Sequence, residues 1–274
     1  MTVTEPTMRA PVGRVIPAGL LPRRPLRIVE RNAIAYRRIW YIFIAGFAEP
    51  IFYLLSIGVG VGELVGNLPG PGGVTLDYRH FVAPALLATS AMNGSLFDTT
   101  FNFFVKYKYM KTYDAILATP LSAGDVAAGE VAWALIRGTV YSTVFLLTMT
   151  AFGLVESWWA LLAVPGALLI GFAFAGAGLA ATTFMRSFVD FDFVNLAMVP
   201  LFLFSATFFP LSRYPAALEW VVRATPLYQG VEIERALVLG QLDWSLVGHA
   251  AYLVVMGYVG MRIAARRINQ LLQP

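Results

Sequence analysis

Five stretches of the chain, 80–97, 138–155, 157–185, 193–212 and 244–261, run for at least 18 residues without an aspartate, glutamate, lysine or arginine. A sixth, 39–62, is broken only by Glu49. A helix rising 1.5 Å per residue needs about 20 mostly apolar residues to cross a hydrocarbon core of ~30 Å, so each stretch predicts a spanning helix. The pattern therefore predicts six spans.

The segments between the runs carry patterns of their own. Leu26, Val29, Ala33, Tyr36 and Trp40 fall on one face at helical spacing, while Arg27, Glu30, Arg31 and Arg38 point elsewhere. That is the signature of an amphipathic helix lying at a membrane interface, with Pro25 at a position where helices start. After the second run, 112–119 predicts a short transverse helix stopped by Pro120, which lacks the backbone donor. Ser122 then stands three residues ahead of Asp125, as in an N-capping box that opens the next helix. After the fifth run, Phe208 to Pro215 breaks the chain, 216–224 reads as a helical piece, Thr225-Pro226 breaks it again, and 227–239 reads as a second piece that ends at Gly240. Neither piece is long enough to cross, so the pair predicts a re-entrant or interfacial hairpin between spans five and six.

Composition supports the same picture. Hydrophobic residues make up 58% of the 274 and charged residues 13%, and the mean hydropathy is +0.68. Roughly a quarter of a soluble domain is charged, so a soluble enzyme is nearly excluded. The net charge of +4 raises the question of nucleic acid. The positions of the basic residues answer it. All but four of the 20 lysines and arginines lie in the N-terminal segment, between spans two and three, between spans four and five, or in the tail; the exceptions are Arg79, Arg213, Arg223 and Arg235. Cytoplasmic flanks retain Lys and Arg, so both termini are expected inside, in the inner (plasma) membrane, with a retained first span rather than a cleaved signal peptide. Residues 1–25 predict a disordered cytoplasmic N-terminus and 26–274 a single transmembrane domain.

Catalytic patterns are missing. There is no cysteine, which removes thiolate chemistry and cysteine-ligated metals. His80 and His249 form no HExxH pair, and no Gly-x-Ser-x-Gly elbow occurs. The only lysines are Lys106, Lys108 and Lys111, none after a glycine, so the chain has no Walker A loop. The glycines at 58, 62 and 66 repeat every four residues, the spacing that lets membrane helices approach closely.

At these residues the chain resembles a known family. The six-span layout, Tyr113-Asp-Ala-Ile-Leu-Ala-Thr-Pro-Leu-Ser122 leading to Gly129-Glu-Val-Ala-Trp133, and the segment 202–226 resemble the ABC-2 type permeases of ABC transporters. Ala48-Glu-Pro-Ile-Phe-Tyr53, Ala88-Thr-Ser-Ala-Met92 and Phe204-Ser-Ala-Thr-Phe-Phe-Pro-Leu211 look closest to the NodJ-like lipo-oligosaccharide export permeases. Glu49 departs from that subgroup, which carries a shorter acid before the proline. The resemblance covers about residues 25–270. It implies two six-span permeases, the second a copy or a paralogue, joined to two ABC ATPase subunits that hold the ATP and Mg, with no cofactor on this chain. It also implies that the transverse helix is a coupling helix, with Tyr113, Asp114, Ile116, Leu117 and Pro120 as ATPase contacts. Spans one and five would then form a shared wall, which places Glu49, Phe52, Phe202, Phe204, Phe208 and Phe209 along the substrate path.

Two acids at membrane depth call for partners, because a buried carboxylate is expensive there. Asp98 reads as a charge paired with a nearby lysine or arginine, against the alternative of a substrate contact. Glu49, just before Pro50, fits helix packing and substrate contact equally. Aromatic residues, 14% of the chain, pack against neighbours or lipid in most membrane helices, yet a wall of them also suits an amphiphile whose sugar stacks on rings. The expected protein is thus an all-α integral membrane permease of an ATP-driven exporter for an amphiphilic or lipid-linked glycan, without enzymatic activity of its own. A drug or antibiotic efflux permease of the same family is the alternative cargo class. A proton-coupled secondary transporter is the alternative mechanism, and it usually shows inverted repeats that this sequence lacks.

Overall fold

The structure, a computed structural model, describes residues 23–37, 52, 54–69 and 75–272. Helix α1 (Arg23–Arg37) is followed by α2, π-helical turns at Leu54–Val61 that run into Gly62–Val65. Strands β1 (Asn67–Pro69) and β2 (Thr75–Asp77) pair antiparallel, Leu68 opposite Leu76. Next come α3 (Tyr78–Phe97), the transverse α4 (Thr112–Leu117) and α5 (Ala123–Ala151). A 3-10 turn at Trp158–Leu162 leads into α6 (Ala163–Thr182), and another at Phe188–Asp190 leads into α7 (Phe191–Leu203). The chain closes with α8 (Ala216–Ala224), α9 (Pro226–Leu239) and α10 (Ser245–Leu272).

Among the described residues three helices are long and apolar enough to cross a membrane: Ala123–Ala151, Trp158–Thr182 and Ser245–Leu271. They correspond to expected spans three, four and six. Most of the expected first span, with Glu49, lies outside the described residues. Expected span two is α3, kinkable at Pro84 and mixed in polarity. Expected span five differs most. Its helix stops at Leu203 rather than near Phe208, with Pro200 in its last turns and Ala206 in the left-handed region at φ 54°. At 1.5 Å per residue its 13 residues reach about 20 Å, short of a ~30 Å core.

Helix boundaries follow local chemistry. The Asp77 carboxylate accepts from the Arg79 amide at 2.8 Å and caps α3. Ser122 and Asp125 make the expected capping box on α5, with amide to side-chain bonds of 3.2 and 2.9 Å. Thr225 caps α9, Pro226 occupies its first turn, and Gly240 ends it at φ 75°.

The main core lies among α3, α6, α9 and the first part of α10, and a second cluster fills the other end around Phe103, Tyr113, Val126 and Leu179. The apolar face of α1 is buried on α5 instead of lying open: Leu26, Ile28, Val29 and Asn32 are all buried. Gly129 makes this possible, since a Cβ there would come within 2.6 Å of the Ile28 Cβ. Arg27, Arg31 and Ile34 stay exposed on the other side.

Candidate coupling surface and transport path

The transverse helix α4 is fixed from below. α3 continues past Phe97 through two π-helical stretches, Asp98–Asn102 and Val105–Tyr109, and Lys111 turns the chain at φ 46° into α4. Tyr113 then points inward, fully buried, its ring stacked 4.8 Å from that of Phe103. Its hydroxyl is buried without a well-formed hydrogen bond. Burial, followed by the charge of nearby Glu130, pushes the phenol well above the usual tyrosine range. Tyr113 is thus a bolt holding α4 to the body. Ile116 and Leu117 pack partly on the same cluster, whereas Asp114, Ala115, Ala118, Thr119 and Pro120 form the exposed rim.

Two buried polar networks stand beneath this surface. In the first, the Glu130 carboxylate accepts from Lys106 Nζ at 2.7 Å and from Asn32 Nδ2 at 3.2 Å, which ties α1, α3 and α5 together. In the second, Asp98 pairs with Arg137 and accepts from Asn102 Nδ2 at 2.7 Å. Arg137 also donates to the hydroxyls of Tyr36 at 3.2 Å and Tyr141 at 2.9 Å. Asp98 therefore has the basic partner that its cost at depth demanded, supplied by Arg137 rather than by one of the three lysines. Sequence alone showed the need for a partner; only the packing of α3 on α5 selects it.

Four of the expected path residues lie where α7 ends. Phe202 and Phe208 meet edge to face at 4.9 Å where α7 ends. Phe204 lies beside Tyr214 at 6.5 Å, and Phe209 and Phe52 are exposed. Glu49 lies outside the described residues.

The charges on α9 escaped the sequence reading. Arg235 is buried, its guanidinium 3.9 Å over the Phe81 ring, and donates to Glu232 at 2.7 Å and to the Ala206 carbonyl at 2.9 Å. It thereby pins the broken chain after α7 to α3. Its signal was present, as three charges, Glu232, Glu234 and Arg235, within four residues of a helix whose other positions are mostly apolar.

The neighbouring Glu234 is fully buried against Gly166, where a Cβ would lie 2.7 Å from its Oε1, and neither carboxylate oxygen has a hydrogen-bond partner among the described residues. Burial alone pushes this carboxyl well above the usual range. A folded-state pKa raised above the unfolded one gives stability that is complete at acid pH and declines as pH climbs past the unfolded value toward the folded one. Glu234→Gln keeps the size without the titration. Its stability is expected to match the wild type near pH 4 and to exceed it increasingly toward pH 8, the free-energy gap widening by up to about 1.4 kcal/mol per pH unit and the melting temperature rising above the wild type's accordingly. Parallel melting curves for the two proteins would refute this.

Residues 26–239 match the ABC-2 type transporter family. Nodulation protein J of Rhizobium leguminosarum bv. viciae is 31% identical over 92% of this chain and 97% of its own length. The Rhizobium meliloti protein of the same name is 30% identical over 89% of this chain and 93% of its own. A probable multidrug ABC transporter permease, YbhR of Escherichia coli, is 24% identical over 65% of this chain and 48% of its own. The chain belongs to the ABC-2 type transporter family of membrane-integral permeases.

Proposed function

We propose that this chain is the transmembrane subunit of an ATP-driven exporter and moves an amphiphilic, glycan-bearing lipid outward. The observation that carries the reading is α4, a short helix braced from below by Tyr113 and the Glu130 network and open along its outer rim. Such a rigid knob fits a groove on a separate ATPase. Similarity to Nodulation protein J over nearly the whole length supports the same assignment. ATP and Mg would be held by two ATPase subunits, and this chain would bind no cofactor and catalyse no reaction. A second permease, a copy or a paralogue, would complete the path along spans one and five, with Glu49, Phe52, Phe202, Phe204, Phe208 and Phe209 on the shared wall. In this reading 39–62 is the first of six spans, α3 the second and 193–212 the fifth, in the inner membrane.

Inside-out vesicles containing the permease and its ATPase subunit test the proposal. ATP is expected to drive uptake of a long-chain alkyl oligosaccharide, and a proton gradient alone is not. Uptake driven by the gradient without ATP would reject the exporter reading in favour of a secondary transporter. Preference for an uncharged drug over the glycolipid would move the cargo to the multidrug class.

Orientation is checked separately. The chain has no native cysteine, so Ala10→Cys introduces the sole thiol. It is expected to react with a membrane-impermeant maleimide only after the membrane is opened. Labelling of intact cells would reverse the topology.

A further inference from the structure

A cleft of about 630 Å³ runs between α6 and α7. That volume is in the range of ligand pockets, about 300–1,000 Å³, and far above the packing gaps of a close-packed interior. One wall is the small-residue face of α6, with Ala177, Gly178 and Ala181; the other is a face of α7, with Phe193, Ala197 and Leu201 at four-residue spacing. Leu96 and Thr100 of the α3 segment close the back, and Met256 of α10 and Pro226 lie at the far end. Polar character is concentrated at one end, where Arg186 and Asp190 stand. The Asp190 carboxylate is taken by the amides of Arg186 and Ser187, at 2.5 and 3.0 Å. The Arg186 guanidinium is exposed and makes no hydrogen bond or ion pair among the described residues.

The cleft follows α7 from Asp190 to Leu201, about 16 Å at helical rise. It runs beside α6, one of the helices able to span, so its long axis lies along the lipid chains. Beyond its charged mouth stands a cluster of rings: Phe188 lies 5.4 Å from Phe104, 5.0 Å from Tyr109 and 6.0 Å from Phe101. Tyr109, Phe188 and Phe101 present exposed surface.

We infer that this cleft seats the acyl chain of the exported amphiphile on its cytoplasmic side, with Arg186 against the oxygens of the head group and the ring cluster under the first sugar. Apolar walls suit the chain, the exposed Arg186 guanidinium, whose donors are free of hydrogen bonds to the described residues although the Asp190 carboxylate is near, suits oxygen acceptors, and aromatic faces suit a sugar ring. The inference rests on the exporter reading and names where its cargo docks, on the α3 side of α7.

A hexadecyl maltoside with a diazirine at the chain end, added to the permease–ATPase complex in nanodiscs, tests it. Photolabelling is expected on Met198, Leu201 or Met256, mapped by mass spectrometry. Ala197→Trp or Ala181→Trp, each filling the cleft from a different helix, is expected to lower that labelling about tenfold or more, as overpacking of an apolar site does. Val254→Trp, on the exposed face of α10, serves as the control and is expected to leave it unchanged. Size-exclusion profiles report folding, and two independent variants guard against a loss of fold in one. Labels spread over the exposed face of α10, and insensitive to both cleft variants, would overturn the cleft. Labelling displaced equally well by phosphatidylglycerol, or lost without any loss of export, would overturn the cargo assignment. If the wild-type complex exports the maltoside but labels elsewhere, the cleft alone fails. If ATP drives no export at all, the exporter reading fails first.

Discussion

Gly176→Leu is expected to prevent the permease from accumulating as a folded protein. α6 and α10 touch backbone to backbone: a Cβ on Gly176 would come within 2.4 Å of the Gly257 carbonyl oxygen, and one on Gly260 within 2.4 Å of the Gly176 carbonyl carbon. Neither atom belongs to a flexible side chain that could step aside. Leucine improves helix propensity over glycine by at most about 1 kcal/mol. Forcing apart two helices in backbone contact is the severe end of overpacking, about 3 kcal/mol or more, so the clash wins. The readout is the monodisperse fraction after solubilisation, with melting temperature for whatever survives. Gly248→Leu, in the same helix but with nothing within 4 Å of an added Cβ, is expected to behave like the wild type. Normal yield of Gly176→Leu would show that the α6–α10 seam is looser than described.

The double substitution Ala115→Arg, Ala118→Arg is expected to uncouple the exporter while leaving the permease folded. Both alanines lie on the exposed rim of α4, so the added guanidinia meet water in the isolated chain and collide only with a docked partner. Losing a hot-spot contact costs about 2 kcal/mol, or about 30-fold in affinity. ATPase copurification and ATP-driven export should fall together, with the melting temperature unchanged. Ile116→Asp and Leu117→Asp answer a different question. Both side chains pack on the inner cluster, so a carboxylate there destabilises the permease as well as the contact. Retained copurification in the double arginine variant would reject α4 as the docking surface.

Much of the architecture is legible from where charges are absent. The proline and glycine punctuation of the hairpin places both α8 and α9 correctly, because Pro215, Pro226 and Gly240 act within one turn of where they sit. The capping box at Ser122 is equally local. The sequence reading failed where a contact between distant residues decides. The face of α1 read as amphipathic without showing what it meets, and the answer, α5, depends on Gly129 having no side chain. Likewise the four-residue glycine repeat drew attention to 58–66, while the close helix approach the structure describes is made by Gly176, Gly257 and Gly260, drawn from two helices with no shared spacing. An uncharged run marks apolar surroundings but not helix continuity, which is why 193–212 concealed the break after Leu203. Tyr113 shows the same limit at a single residue. The family resemblance marked it as an ATPase contact; packing turns it inward.

The bracing of α4 also constrains how the machine moves. Tyr113 is wedged on Phe103, and the Lys106–Glu130–Asn32 network lashes the surrounding helices together. A pull on α4 therefore has no play to take up. α1, the π-helical end of α3 and the start of α5 would then swing as one lever, and any compliance would reside elsewhere in the chain. The break between α7 and α8, where hydrogen bonds from Arg235 to the Ala206 carbonyl, between Ser205 and Thr225 and from Tyr214 to the Leu203 carbonyl replace a continuous helix, is where that compliance would reside.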